Sequence, residues 1–188
     1  MQPRIQPISL DDADAPTREI FDRIPEPMRR MNVLRTFATH PDLMDAWLGF
    51  GAYLLRSSTL EPRLRELVVL RVGWQCRSPY EWGQHVIIGR KSGVLDADLQ
   101  QLTRGPDAEG WAVAEAAALR ATDELIERHT LADATWADLT AHFTTQQILD
   151  LIFLVGQYQL VAGALNALRV ERDDGLDSRE VPFPLLAE

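Results

Sequence analysis

Apolar residues along the chain recur at spacings of three and four, and runs of Val, Ile and Thr in strict alternation are missing. That period is helical, and no Asn-Gly or Asp-Gly pair sits between two alternating runs to mark a hairpin. The pattern predicts helix after helix. A short one over 16–24 is ended by Pro25 and Pro27, and another covers 28–38. Pro41 suits a first helical position with His40 as its cap, opening a helix that carries Leu43, Met44, Trp47, Leu48 and Leu54 to about Ser57. Pro62 opens the next. Between Leu67 and Val72 it is apolar on nearly every side except at Arg71, the pattern of a central, buried helix. A helix from Ser78-Pro79 ends near Gly93, and Asp96 caps a short one to about Leu102. After the loop TRGPDAEG, helices are expected over 109–129 and 133–142. Thr144-Thr145-Gln146-Gln147 reads as a capping box opening a last helix to about Val170. ELVVLRVGW and DLIFLVGQY, 84 residues apart, share an acidic start and an apolar body, a faint internal echo.

The expectation is an all-α single domain over 1–188, with a core of about 35–170, an N-terminal extension 1–34 and a tail 171–188. A chain of this size buries roughly 70% of its unfolded surface and needs no covalent staples. The net charge of −9 argues against binding phosphate-rich nucleic acid or anionic membranes. The N-terminus lacks the apolar stretch of a signal peptide, and Asp150, Gln157, Gln159 and Asn166 interrupt the longest apolar run. These features point to a cytoplasmic protein. The apolar VPFPLL tail and helices suggest a homo-oligomer. One Cys, Cys76, rules out an internal disulfide or a CxxC pair. His40, His129 and His142 lack metal-site spacing, so neither metal nor cofactor is called for.

The chemistry concentrates in RELVVLRVGWQCRSPYEWGQH, residues 65–85. Ser78, Glu81 and His85 share one helical face, and Glu81 and His85 are i, i+4 neighbours. If the two helices return as a hairpin, Glu66 reaches the same spot, within roughly 3 to 5 Å of His85. Two carboxylates around an imidazole in a low-dielectric pocket are parts for proton transfer. Tyr80 and Trp82 flank the cluster as candidate substrate-binding residues, Trp82 as a pocket wall. Blander readings stand beside these. Ser78-Pro79-Tyr80-Glu81 is also a capping box, in which case Ser78→Ala costs about 1 kcal/mol. Glu66 can pair with Arg63 or Arg71 instead. Cys76 reads as a small apolar residue, although Arg77 beside it can activate a thiol. Gln157, Tyr158 and Asn166 are polar groups in an apolar helix that need partners, in the same pocket or at a subunit interface.

The stretch from Leu60 to Leu102 resembles the core motif of the carboxymuconolactone decarboxylase-like family, which shares its all-helical fold with alkyl hydroperoxidase D. The resemblance implies a homo-oligomer with the motif helices near a subunit interface. In the peroxidase branch a CxxC pair precedes a His, and a relay Glu lies 19 residues before it. Placed on this chain, the His is His85 and the Glu is Glu66, while Ser78 and Glu81 stand where the thiols would be. The departure points away from dithiol peroxidase activity and toward acid–base work on a small organic substrate, such as a carboxylated lactone. On that reading His85 moves the proton, Glu81 tunes it, Glu66 relays protons, and Ser78 donates a hydrogen bond or caps. The alternatives are a single-thiol antioxidant built on Cys76 and a non-catalytic ligand-binding helical oligomer.

Overall fold

The computed structural model describes residues 2–173; the VPFPLL tail lies outside them. Among the described residues there are nine α-helices and no strand. They are α1 (Ala15–Asp22), α2 (Asn32–Phe37), α3 (Pro41–Arg56), α4 (Pro62–Gln75) and α5 (Pro79–Lys91). Then come α6 (Asp96–Arg104), α7 (Val113–Arg128), α8 (Asp133–His142) and α9 (Thr145–Leu168).

Most boundaries follow from local chemistry. The Asp14 carboxylate accepts the Thr17 amide at the start of α1, and His40 Nδ1 accepts the Leu43 amide at 3.3 Å at the start of α3. Thr144 and Gln147 exchange bonds across the first turn of α9, as the capping box requires. Three starts differ from expectation. The helix expected over 28–38 divides into a 3-10 turn, Met28–Arg30, and α2. The Asn32 amide, which a continuous helix would bond to Met28, donates to Asp173 of the C-terminal segment instead, and Met31 is extended. Asp96 does not cap α6. Leu95 holds that place, and Asp98 turns back to accept the Leu95 amide at 2.7 Å. α7 starts at Val113 rather than 109, because Ala112 is extended and its amide is taken by Glu115.

α4 is the centre of the fold, packing against α5, α6, α7 and α9. Leu67, Val68, Val69, Leu70 and Val72 are all fully buried, each worth roughly 1.5 to 3 kcal/mol against exposure. Val68, Val69 and Val72 meet α7 and α9, while Leu67 and Leu70 meet Trp82, Val86 and Leu102. The one charge inside this belt, Arg71, forks onto Asp123 of α7 with two bonds of 2.7 Å and donates to the Leu102 carbonyl. Such a pair is costly to break, because either partner left alone is a buried, uncompensated charge. The two echoing segments lie in α4 and α9, which pack on each other.

α9 is long and apolar enough to cross a membrane, yet more than half of that stretch is buried inside the protein. Its Asp150 accepts the Thr59 amide (2.6 Å), the Thr59 hydroxyl (2.8 Å) and the Tyr53 hydroxyl (3.0 Å). α1, α2 and α3 form a second cluster, closed by Ile20, Phe21, Leu34, Met44 and Val161.

Candidate active site

α4 and α5 form a tight hairpin. At its turn Arg77 adopts φ +49, and the Ser78 amide donates to Gly73 O at 2.9 Å. A Cβ on Gly73 would lie 3.5 Å from both Glu81 Cβ and Trp82 N, ordinary van der Waals contact, so α5 packs directly onto this turn of α4. Glu66 lies two turns back along α4 from Gly73 and His85 lies one turn beyond Glu81, so the antiparallel return brings them level.

His85 Nδ1 and Glu66 Oε2 are 2.7 Å apart. His85 Nε2 and Glu81 Oε2 are 3.5 Å apart. Arg65 Nε donates to the other Glu66 oxygen at 3.2 Å, and the Tyr158 ring stands edge-on to the imidazole at 4.9 Å. Glu66 is fully buried, while Glu81 and His85 are each 6% exposed. Glu66 therefore pairs with His85 and Arg65. Arg71 is engaged with Asp123, and Arg63 with Asp98 and Glu115.

Burial pushes each charge toward its neutral form, and the partners decide the outcome. For Glu66, burial raises the pKa, but the His85 bond and the charges of His85 and Arg65 outweigh it, leaving the carboxyl lowered. For His85, burial lowers the pKa, but the Glu66 bond and the charges of both carboxylates win, leaving it raised. Glu81 has no such bond. Burial dominates, the attraction of His85 offsets only part of it, and Glu66 adds repulsion, so Glu81 is raised to about 7. The cluster is thus an anchored Glu66–His85 ion pair beside a carboxyl poised near neutrality. His85 Nδ1–H points at Glu66 in either charge state, which leaves Nε2 and Glu81 to exchange one proton as a coupled unit.

Glu81 and His85 line a cavity of about 340 Å³ enclosed by α1, α2, α3, α5 and α9 and the segment between α1 and α2. Its walls are mostly apolar: Ile20, Met28, Leu48, Leu55, Ile88 and Val161 are among them. Gln84, Gln157 and Tyr158 add polar groups. Gln157 and Tyr158 are two of the polar residues marked in the last helix. The third, Asn166, instead donates to Cys76 O at 2.8 Å. Gln84 and Trp47 carry no sequence signal toward a pocket; only the fold turns them inward.

The remaining candidates sit elsewhere. Ser78 is fully buried at the head of α5 with its hydroxyl unpartnered, and no side-chain cap forms. The capping box fails because the Ser78 amide is already bonded to Gly73 O, while the Glu81 carboxylate turns to His85. Tyr80 and Trp82 do not line the cavity. One residue either side of Glu81, they turn about 100° away from it in each direction. Tyr80 packs with α1–α3, its hydroxyl accepting the Val33 amide and donating to Asp173. Trp82 packs against Trp74 and the α4–α6 core. Cys76 is half-buried and outside the cavity wall, and burial together with the charge of Glu81 pushes its thiol up.

The architecture is that of the alkylhydroperoxidase-like all-helical proteins. A peroxidase-related protein from Ralstonia eutropha JMP134, described as an alkylhydroperoxidase AhpD core, superposes with a TM-score of 0.80 at 18% identity, over 94% of this chain and 95% of that one. A peroxidase-related protein from Silicibacter sp. TM1040 gives 0.77 at 16% identity, over 90% and 92%. The debrominase Bmp8, in complex with 2,3,4-tribromopyrrole, gives 0.78 at 14% identity, over 97% and 98%. No curated protein matches the chain by sequence. Residues 41–124 match the carboxymuconolactone decarboxylase family. That segment holds Glu66, Glu81 and His85.

Proposed function

We propose that the protein is an acid–base enzyme that decarboxylates a small organic acid, such as a carboxylated lactone, in the cavity beside Glu81 and His85. The observation that carries this reading is a carboxyl held at about 7 on the wall of an apolar cavity, backed by a His85–Glu66 pair at 2.7 Å. A group near neutral pH both holds and releases a proton readily. In the step proposed, the bond to the carboxylate breaks and carbon dioxide leaves. Its electron pair passes to the adjacent carbon and onto the conjugated lactone carbonyl. Glu81 delivers a proton to that carbon, and His85 Nε2 returns one to Glu81. The protonated imidazole, fixed by Glu66, offsets the negative charge as it develops. Apolar walls disfavour the substrate carboxylate more than the neutral carbon dioxide, which pushes in the same direction.

Cys76 supports the single-thiol alternative poorly: its thiol is pushed up and lies outside the cavity wall. The protein acts, on this proposal, as a homo-oligomer. Leu43, Phe50 and Tyr53 of α3 and Leu149, Phe153 and Leu160 of α9 are exposed, with Phe50 and Phe153 in edge contact. The test of function is carbon dioxide release from five-membered lactones bearing a carboxylate. Turnover that survives Cys76→Ser and is lost in His85→Gln and Glu81→Gln is expected. Turnover indifferent to His85→Gln, or abolished by Cys76→Ser, overturns the reading.

A further inference from the structure

We infer that Gln84 is a specificity residue that offers a hydrogen-bond acceptor to the ligand, held in that orientation by Asp173, so that among small organic acids the cavity favours those carrying an O–H or N–H group besides the carboxylate. This rests on the reading that the cavity beside Glu81 and His85 is where the substrate sits.

Asp173 ties three donors together. Its Oδ1 accepts the Asn32 backbone amide at 2.6 Å, and its Oδ2 accepts the Tyr80 hydroxyl at 2.7 Å and Gln84 Nε2. Tyr80 has no freedom to reverse its bond. The Val33 amide donates into the same hydroxyl oxygen at 3.2 Å, so the hydroxyl proton is turned to Asp173. A carboxylate can only accept, so the Gln84 amide must present its NH2 to it. The other end of that planar group, Oε1, then points away. Among the described residues Oε1 receives no hydrogen bond. It is also not among the shut-away atoms without a partner, which are Trp47 Nε1, Ser78 Oγ and Arg120 Nε. It is therefore accessible, on a residue that lines the cavity next to Glu81, His85 and Ile88. In walls that are otherwise largely apolar, an oriented acceptor rewards a donor and penalises its absence, because a ligand without one leaves the oxygen dry and unpaired. Asp173 acts through Gln84 and is a positioning residue.

The same geometry makes a sharp test. In Asp173→Asn combined with Tyr80→Phe, which removes the other donor at Oδ2, the Asn32 amide still requires an acceptor at Oδ1, so the new NH2 falls at the Oδ2 position. Gln84 must then turn its own oxygen to that NH2, and its NH2 faces the cavity. The preference for donors inverts to one for acceptors, which no merely structural role of Asp173 would produce.

The probes are phenol against anisole and indole against 1-methylindole, with Kd measured by calorimetry on the full chain. The parent protein is expected to favour phenol and indole by about tenfold, a difference of about 1.4 kcal/mol. Asp173→Asn with Tyr80→Phe should reverse the order, and Gln84→Met, which keeps the volume and removes the amide, should bring both ratios to about one. Ratios unchanged in Gln84→Met, or no binding of any probe to the parent, overturn the inference. If the ratios move in Glu81→Gln but not in Gln84→Met, the acid cluster reads the donor and this inference falls while the acid–base reading stands. If they respond to Gln84→Met while lactone turnover ignores His85→Gln, the acid–base reading falls and this one stands.

Discussion

Glu81→Gln should make the protein more stable at alkaline pH while removing its activity. The Glu81 carboxyl is 6% exposed, and burial outweighs the pull of His85, so its folded pKa is about 7 against an ordinary value of 4.5. Below 4.5 both the folded and unfolded chains hold the proton, and the group contributes nothing to the pH dependence. Between 4.5 and 7 the unfolded chain releases the proton and the folded one keeps it, so stability falls as pH rises. Above 7 the folded protein carries the full penalty of a buried carboxylate, on the order of 3 kcal/mol. Gln has the same shape and no charge. Its substitution forfeits the His85 Nε2 contact, which at 3.5 Å is long and worth little. The net expectation is little difference near pH 4 and a gain of about 2 kcal/mol at pH 8.5. Urea unfolding of the parent and the variant at both pH values measures it. A variant no more stable than the parent at pH 8.5 would refute the reasoning, since it would mean that Glu81 is not held against its charge.

Three further outcomes follow from the same geometry. Glu66→Gln removes the bond and the charge that, with Glu81, outweigh burial at His85, so the imidazole pKa should fall. Titration of its ring protons by NMR checks this, and an unmoved value would sink the pairing. Ser78→Ala should change stability by less than about 0.5 kcal/mol or raise it, because the hydroxyl it deletes is buried and unpartnered. A loss of about 1 kcal/mol in chemical denaturation would restore the cap. Light scattering should give a mass well above 21.2 kDa for the parent and a single chain for Phe153→Asp, whose charge would fall in the exposed α3–α9 seam. A parent that scatters as one chain contradicts the assembly.

What the sequence made legible is what depends on local chemistry. The prolines at 41, 62 and 79 and the Thr144 box mark helix starts that tertiary contacts leave in place. Apolar residues on every side of Leu67–Val72 announce a helix surrounded by others. Glu66 and His85 could be paired because a short antiparallel hairpin leaves few other arrangements. The failures share a cause as well. The split at Met31 and the shift from Asp96 to Leu95 are decided by groups that arrive from elsewhere or by a cap chosen among neighbours. Ser78 and Glu81 have the spacing of a capping box, yet the turn spends the Ser78 amide on Gly73 and burial hands Glu81 to His85. Gln84 gave no hint, since its orientation is set by a residue 89 positions away.

The placing of Glu66 on α4 governs how the molecule opens. A backbone amide exchanges with solvent either when its own region loosens or when the whole chain unfolds. α4 has partners on four sides, so its amides should exchange only through complete unfolding, and the Glu66–Glu81–His85 cluster is present or absent together with the entire fold. The opposite wall of the cavity belongs to α1, α2 and α3, which close over it as a cluster of their own. Amides there should exchange through smaller, faster openings. A bound molecule would slow exchange in that wall while leaving α4 at its limiting rate, so hydrogen exchange with and without ligand would map the route of entry.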